Sequence, residues 1–309
     1  MNNFEVFDYK RKSLPLCVYN PWFDRRGHLY EHISEYGDVP ADKLPYMTPS
    51  PACDDPEIVA HSFGEHIHKE LELTFIVTGE WRVRINGNEA DVFPGDIYIV
   101  NPFEKHSGYT FNRGYPKYCI TVIADTAYFA RVMSAEWQRK VSGLTSGSLR
   151  FVPVCRGRKD LYGLFDRLHE SWTADDVPGM LSGVYTLFGE LFGSCVATEN
   201  AEPDPNRDFI VRVSDILEKR FREPLSTGAV SAELGYSEGY FCRKFRDSFG
   251  TTFIDRLNST RIAYAKSLPL RDKGSIQAIA NECGLPDYVN FSKLFRKYTG
   301  MPPGKWYGA

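Results

Sequence analysis

Between residues 61 and 125, hydrophobic and polar positions alternate in short runs that are separated by turn residues. In the run LTFIVTGEWRVRING, Trp81, Val83 and Ile85 fall on one face of a strand, because successive strand side chains point to opposite faces. An Asn-Gly pair, which is a strong hairpin signal, ends this run. The segments DVFPGDIYIVNP and KYCITVIA indicate further short strands. The pattern therefore predicts an all-β region that closes into a barrel or a sandwich-like barrel.

Residues 158 to 197 follow the period of an α-helix instead. Apolar residues recur at spacings of three and four in two stretches, which the sequence VPGM separates, and this predicts two antiparallel helices. The apolar residues are Leu161, Leu164, Phe165, Leu168 and Trp172, then Met180, Leu181, Val184, Leu187, Phe188 and Leu191. Each apolar stripe is wider than packing on a small barrel requires. One face therefore either pairs with a second subunit or covers the barrel, and the sequence leaves both readings open.

The remaining segments before the C-terminal region are less regular. Residues 1 to 60 are rich in proline and aromatic residues without a helical period, and we expect them to wrap the domain that follows. Residues 197 to 208, ATENAEPDPNRD, are polar, contain two prolines and indicate a linker. Apolar residues between 209 and 221 then predict the helix that opens the C-terminal domain.

The strongest signal is a short pattern between residues 224 and 303 that occurs twice, fifty residues apart. The first copy has Ser231, Leu234, Gly235, Ser237, Tyr240, Phe241, Phe245 and Gly250, and the second has Ala280, Cys283, Gly284, Asp287, Phe291, Phe295 and Gly300. Each copy reads as a short helix that ends at a glycine, followed by a capped second helix, which is the pattern of a helix-turn-helix unit. The segment FIDRLNSTRIAYAKSL between the copies predicts a connecting helix.

One face of each second helix is predicted to be free. Phe241 and Phe245 lie four residues apart and point together into the core, so the opposite face can contact a partner. The residues on the free faces are Gly239, Cys242, Arg243 and Arg246 in the first copy and Tyr288, Val289, Ser292, Lys293 and Arg296 in the second.

The charge of the chain agrees with a nucleic-acid partner for this region. The net charge of the chain is −3, but residues 206 to 309 carry +6 and residues 1 to 205 carry −9. Phosphate contacts dominate DNA affinity and require Lys and Arg on one face. The charge supports the motif, although an excess of this size would be weak support alone.

Cysteine usage and hydropathy favour a protein of the reducing cytoplasm. The seven cysteines are scattered singly, with no CxxC pair and without disulfide or zinc-finger spacing. The sequence MNNFEVFDYKRK has no apolar run that could act as a signal peptide, and no long apolar stretch predicts a membrane span. We therefore expect no membrane partner.

The C-terminal repeats resemble a known family. GYSEGYFCRKFRDSFG, RIAYAKSL, SIQAIANECG and FSKLFRKYTG, followed by Pro303, are similar to the AraC/XylS family of bacterial transcription regulators. The resemblance implies two recognition helices in successive major-groove segments of double-stranded DNA, with Arg243 as the leading base contact. Two positions depart from the family: Pro269 stands where Leu is usual, and Pro286 replaces a typical capping residue.

The β region also resembles a known family, the cupins. The segments HIHKELELTFIVTG and GDIYIVNPFEKH match the two cupin motifs, which implies a small jelly-roll-like barrel. In metal-binding cupins the corresponding residues hold a divalent metal, and here they are His66, His68, Glu72 and His106. The strand period of two predicts that the first three share one strand face. Three imidazoles and one carboxylate suit Zn, Ni, Fe, Mn or Cu.

The same interior is a candidate site for an effector. Without a metal, the four residues still form a polar interior that can hydrogen-bond a hydroxyl-rich ligand. Trp81 and Tyr98 are candidates for stacking on the apolar face of a sugar. Carbohydrates are the first expectation for the effector because much of the AraC/XylS family senses them.

The sequence as a whole predicts a multidomain α and β protein. An N-terminal cupin-like (jelly-roll) β-barrel with a helical hairpin precedes an all-α domain with two helix-turn-helix units. The predicted boundaries are 1–155 for the ligand-sensing domain, 156–197 for the hairpin with a candidate dimerisation role, 198–207 for the linker and 208–309 for the DNA-binding domain.

The predicted function is a homodimeric, cytoplasmic transcription regulator that is not an enzyme. It would bind double-stranded DNA and respond to a small-molecule effector, with one divalent metal ion as its candidate cofactor. Two alternatives stay open. One is a constitutive DNA-binding regulator whose barrel only dimerises, and the other is a metal-dependent cupin enzyme fused to a DNA-binding domain.

Overall fold

The computed structural model describes residues 14–19, 21–23, 29–33, 37–40, 58–111, 117–198, 205–268 and 275–308. The chain divides into two compact units, and the division falls between Asp208 and Phe209. We call them the N-terminal unit and the C-terminal unit. Each has buried apolar clusters of its own.

The N-terminal unit is built mainly from short antiparallel strands. Those described are β1 (Leu16–Tyr19), β2 (Pro21–Phe23), β3 (Leu29–Ile33), β4 (Gly37–Pro40), β5 (Ile58–His66), β6 (Leu71–Thr78), β7 (Trp81–Ile85), β8 (Asn88–Val92), β9 (Ile97–Val100), β10 (His106–Phe111), β11 (Lys117–Ala124), β12 (Arg150–Phe151), β13 (Val154–Cys155) and β14 (Val196–Thr198). One sheet has the order β13-β9-β6-β11-β2-β3-β4, with β1 also paired to β11. A second has the order β5-β10-β7-β8, and β12 pairs with β14.

The predicted β region and its hairpin are confirmed. β7 and β8 pair antiparallel around the Asn-Gly turn, in which Asn86 has φ 49° and Gly87 has φ 83°. Both residues adopt the left-handed conformation that a two-residue hairpin turn requires. On β7 the side chains alternate between buried and half-buried, as the strand period predicts.

The described part of the N-terminal unit also contains the α-helices α1 (Thr126–Ala130), α2 (Ala135–Ser146), α3 (Tyr162–Thr173) and α4 (Val177–Ser194). Neither α1 nor α2 was predicted, although Ser134 caps α2 and the apolar residues Trp137, Val141 and Leu144 of α2 recur at helical spacing. That spacing and the cap are the signals that could have predicted α2.

The helical hairpin is confirmed, but its turn lies elsewhere. Residues 174–176 connect α3 to α4, and the VPGM segment forms the first turn of α4. Pro178 fits there because the first helical N–H groups need no intrahelical partner. Most apolar residues of both helices are buried in one core with Leu73 and Phe75 of β6, and Trp172 and Leu181 are half-buried against it. The stripe therefore packs on the barrel, and the dimerisation role of the hairpin stays a prediction.

The expectation of unpaired cysteines is wrong at one pair. Cys155, in β13, and Cys195, directly after α4, are joined by a disulfide although 40 positions separate them in the sequence. The fold brings the two together because α4 returns to the edge strand β13. Sequence spacing cannot predict such a pair. Among the described residues, Cys119, Cys242 and Cys283 are not part of a disulfide.

The predicted linker overlaps a helix. Thr198 ends β14, residues 199–204 lie outside the described residues, and the helix α5 (Pro205–Arg220) has already begun at Pro205. Proline is favourable at a helix start because its fixed φ suits the first turn. The last three residues of the predicted linker 198–207 are therefore helical, and its role as a linker stays a prediction.

The C-terminal unit contains two helix-turn-helix units, as predicted. After α5 come α6 (Thr227–Glu233), α7 (Glu238–Phe249), α8 (Phe253–Ser267), α9 (Ile276–Glu282), α10 (Tyr288–Thr299) and α11 (Pro303–Tyr307). The side chain of Ser237 caps α7, and that of Asp287 accepts hydrogen bonds from two N–H groups of α10. The cap next to Pro286 is thus present, whereas Pro269 lies outside the described residues.

The turns of the two units differ in their surroundings. Gly235 and Gly284 both have φ 78°, which favours glycine. A Cβ atom added at Gly284 would lie 2.6 Å from the carbonyl oxygen of Arg222, whereas one added at Gly235 would meet nothing within 4 Å. The second turn therefore packs directly on the backbone that follows α5.

This difference gives a matched pair of variants. Gly235→Ala should destabilise the C-terminal unit by about 1–2 kcal/mol because of the left-handed φ alone. Gly284→Ala should cost about 1–3 kcal/mol more, since the Arg222 backbone must move. Urea unfolding of the full chain followed by circular dichroism measures both. Equal costs would contradict the close packing at Gly284.

Candidate functional site

Four potential ligand residues meet inside the N-terminal unit, but not on one strand face. His66 ends β5, Glu72 lies in β6, and residues 67–70 turn the chain between the two strands, with His68 among them. His106 begins β10 and is the register partner of His66. The predicted shared strand face is therefore wrong. The four residues, which we call the tetrad, come from both sheets, and one ligand atom from each lies within 4.8 Å of the others.

Hydrogen bonds set the orientation of two tetrad imidazoles. Nδ1 of His68 lies 3.1 Å from the Glu70 carbonyl oxygen, and Nδ1 of His106 lies 3.0 Å from that of Glu104. A carbonyl oxygen can only accept, so each Nδ1 donates its proton. In the neutral imidazole, Nε2 then has only its lone pair. This is the arrangement by which proteins prepare histidines as metal ligands.

The Glu72 carboxylate faces both Nε2 atoms. Its Oε2 lies 3.2 Å from Nε2 of His68 and 3.3 Å from Nε2 of His106. Burial raises the pKa of Glu72, but the imidazoles of His106 and His68 outweigh it, so the pKa lies well below its usual range. Burial, with the nearby His66, lowers the pKa of His106 to about 4. At neutral pH an ionised carboxylate therefore meets a neutral imidazole.

The other carboxylate oxygen of Glu72 is held by donors that the sequence analysis largely missed. The Tyr98 hydroxyl donates to Oε1 at 3.1 Å. The Thr74 hydroxyl lies 3.4 Å from the same carboxylate oxygen and 2.8 Å from the Thr121 hydroxyl. Burial raises the pKa of Tyr98 well above its usual value, so it stays a donor. Thr74 lies two residues after Glu72 in β6, and residues two apart in a strand share one face. This spacing could have predicted that Thr74 lies beside Glu72.

Trp81 lies in the same buried apolar cluster as Tyr98. It is 2% exposed and packs in an apolar cluster with Ile76, Val83 and Val92. Its indole N–H donates to the Thr78 carbonyl oxygen at 3.4 Å. The stacking role of Trp81 stays a prediction, whereas Tyr98 contacts the tetrad through Glu72.

The second candidate site is the surface of α7 and α10. Phe241, Phe245 and Phe249 of α7 are buried, as are Phe291 and Phe295 of α10. The opposite faces are open to solvent: Gly239, Cys242, Arg243, Arg246, Tyr288, Val289, Lys293 and Arg296 are exposed, and Ser292 is half-buried. The predicted residues thus share the free faces of the two helices. Their contacts with bases stay a prediction.

Comparisons with known proteins agree with this architecture. A family model described as "AraC-like ligand binding domain" matches residues 54–176, and one described as "Helix-turn-helix domain" matches residues 230–308. The HTH-type transcriptional activator RhaR of Shigella flexneri is 23% identical over 256 residues, covering 79% of this chain and 86% of that protein. RhaR of Escherichia coli K12 is 23% identical over 253 residues, with the same coverage.

Solved structures are similar to all or part of the chain. Fatty-acid-bound ToxT of Vibrio cholerae is 10% identical, with 94% of each chain covered and a TM-score of 0.49. The C-terminal domain of the response regulator yesN from Fusobacterium nucleatum is 27% identical. That likeness covers 32% of this chain and 98% of the other, with a TM-score of 0.31.

A ligand-binding barrel followed by two helix-turn-helix units defines a DNA-binding transcription regulator. The chain belongs to the AraC/XylS family of transcription regulators. Among the residues that the structure describes, no helix is both long and apolar enough to cross a membrane.

The exposed face of α7 makes one residue testable. Arg243→Ala should weaken binding to the preferred DNA site by about 1–3 kcal/mol and relax one base preference, because arginine can bind guanine O6 and N7 together. The control is Arg139→Ala, which removes the same charge from the exposed side of α2. Site selection from randomised DNA and titration of the selected site measure both effects. An unchanged base preference in Arg243→Ala would exclude this contact.

Proposed function

We propose that this regulator responds to a small carbohydrate bound in its barrel with the help of one divalent metal ion, and that it works as a homodimer in the cytoplasm. The tetrad residues His66, His68, Glu72 and His106 would hold the metal. The observation that carries the proposal is the convergence of their ligand atoms within 4.8 Å.

The chemistry of the donor set supports a cation at this point. Two lone pairs and a carboxylate oxygen converge without a proton between them, when both imidazoles are neutral and donate through Nδ1. His106 Nε2 is buried and makes no hydrogen bond of good geometry, although Glu72 Oε2 lies 3.3 Å away. Such a group normally has a cost of about 1–3 kcal/mol, and a metal ion relieves it. Imidazole and carboxylate ligands suit Mn, Fe, Ni, Cu or Zn.

A hydroxyl-rich ligand fits the same site. A metal that accepts more than four ligands could bind sugar hydroxyls as additional oxygen ligands. The bound metal would supply a positive charge that polarises the coordinated hydroxyls. Neighbouring residues would hold the metal-binding side chains in place. Tyr98 and Thr74 fix the Glu72 carboxylate, and the Nδ1 hydrogen bonds fix the imidazoles of His68 and His106.

Binding would regulate transcription by changing which conformations of the protein bind DNA. A ligand shifts such an equilibrium only by its difference in affinity for the two states. Two copies would together span two DNA segments, and each copy would contact successive major-groove segments through α7 and α10.

Metal uptake and ligand response can be tested together. Metal-stripped chain, incubated with Mn²⁺, Ni²⁺ or Zn²⁺ and desalted, should retain about one metal ion per chain, because four ligands converge. His106→Ala should lower the affinity at least about 100-fold through loss of one ligand. The control His169→Ala removes a histidine of α3 outside the tetrad and should leave uptake unchanged. Elemental analysis and calorimetric titration measure retention and affinity.

A thermal-shift screen with mono- and oligosaccharides then tests the effector. A ligand that binds the native state raises the melting temperature by mass action. The proposal expects a saturable shift with at least one sugar in the metal-loaded protein and a smaller one in His106→Ala. A shift of equal size in the stripped protein would exclude the metal from effector binding. Absence of any shift across the panel would count against a carbohydrate effector.

A further inference from the structure

The loop between β9 and β10, residues 101–105, is bonded to two members of the tetrad. The Phe103 N–H donates to the His68 carbonyl oxygen at 2.7 Å. The next carbonyl, that of Glu104, accepts from Nδ1 of His106 at 3.0 Å. Both histidines are therefore hydrogen-bonded directly to this loop.

Side chains inside the loop leave it few alternative conformations. The buried Glu104 carboxylate accepts hydrogen bonds from the Asn101 N–H and from the amide groups of Asn101 and Asn86. Phe103 has φ 62°, in the left-handed region that a bulky residue avoids. Such a backbone persists only where its surroundings determine it. These hydrogen bonds hold the loop in one conformation.

Arg207, in the first turn of α5, lies against this loop. Its side chain is 5% exposed, and its Cζ lies 6.0 Å from the centre of the Phe103 ring. Its Nε donates to the Thr145 carbonyl oxygen at 2.9 Å and its Nη2 to that of Leu144, both in the last turn of α2. A cation suits the unpaired carbonyls at a helix C-terminus. A Cβ added at Gly147 would lie 2.6 Å from Arg207 Cδ.

Phe209, two residues further along α5, packs inside the C-terminal unit. It is 1% exposed, and its ring centre lies 5.7 Å from that of Phe241 in α7 and 5.7 Å from that of Tyr236 in the turn before α7. The Lys244 ammonium lies 5.2 Å from the centre of the same ring. Helix α5 thus carries, two residues apart, one side chain fixed by the N-terminal unit and one packed on a recognition helix.

We propose that Arg207 is the positioning residue that couples occupancy of the tetrad to DNA binding by α7. The inference rests on the proposed metal site. Ligation by His68 and His106 shifts the loop that both histidines hold, the Phe103 ring shifts with it, and Arg207 then changes the conformation of the first turn of α5. Phe209 transmits this change to α7.

The test uses the full chain, its selected DNA site and the metal alone. Wild-type DNA affinity should change at least about fivefold on metal loading, the lower end of typical coupling between two sites. In Arg207→Gln this ratio should fall to about one, while calorimetric metal affinity stays within about threefold of wild type. Arg207→Lys keeps a cation at the two carbonyls and should recover part of the ratio. If Arg207 only stabilised the fold, its substitution would leave the ratio of DNA affinities with and without metal unchanged.

Two further variants separate coupling from folding. Phe103→Leu keeps an apolar side chain but removes the ring beside Arg207, and it should also lower the ratio. The control Arg212→Gln makes the same change at an exposed position of α5 and should keep the wild-type ratio. Hydrogen exchange of residues 205–212 should respond to metal in wild type and in Arg212→Gln, but not in Arg207→Gln.

Each outcome is decisive. A wild-type ratio in Arg207→Gln and Phe103→Leu, with metal uptake intact, overturns the role of Arg207. Metal uptake by the wild type without any change in DNA affinity overturns the coupling and leaves the metal site standing. Absence of metal uptake by the wild type overturns the proposed metal site and this inference with it.

Discussion

A carboxylate taken out of water costs several kcal/mol unless partners compensate, and Glu72 is buried inside the barrel with 5% of its surface exposed. Two hydroxyl-bearing side chains donate to its Oε1, and two imidazoles lie beside its Oε2; these groups come from the turn after β5 and from strands of both sheets. The positions of β6, β9 and β10 are thus fixed relative to one another. A shift in the pairing register of these strands would separate Glu72 from its partners, and the free-energy cost of that separation disfavours such a shift.

The compensation is complete on one side of Glu72 only. Oε1 accepts from the neutral phenol of Tyr98, a donor with a proton to give. Oε2 faces Nε2 atoms whose rings have placed their protons on Nδ1. His66 adds a further ligand atom within 4.8 Å of those of the other three tetrad residues. The Oε1 side of Glu72 is thus structural, whereas the Oε2 side is suited to a cation. The hydrogen bonds that Nδ1 of His68 and of His106 donate cause this difference, because they leave each Nε2 without a proton.

The parts of the molecule that sequence reasoning predicted are those with local causes. The helix-turn-helix units follow from glycines at φ 78°, side-chain caps within three residues and phenylalanines four apart, all visible within short windows. The Asn-Gly hairpin and the α3–α4 pair have equally local causes. The tetrad residues were predicted from a family resemblance, whereas the strand-face argument for them failed, because a turn separates β5 from β6.

The parts that the sequence did not predict depend on contacts between distant positions. The Cys155–Cys195 pair forms because α4 ends beside β13, and no spacing in the sequence encodes that. Glu104, Asn101 and Arg207 carry no motif, since an Asn, a Glu or an Arg in a polar segment is ordinarily a surface residue. Their burial becomes visible only when the partners are in place: Phe151 for Asn101, and the last turn of α2 for Arg207. In this family member the chemistry of the site is therefore readable from motifs, whereas the connections that would make it regulatory must be read from the folded chain.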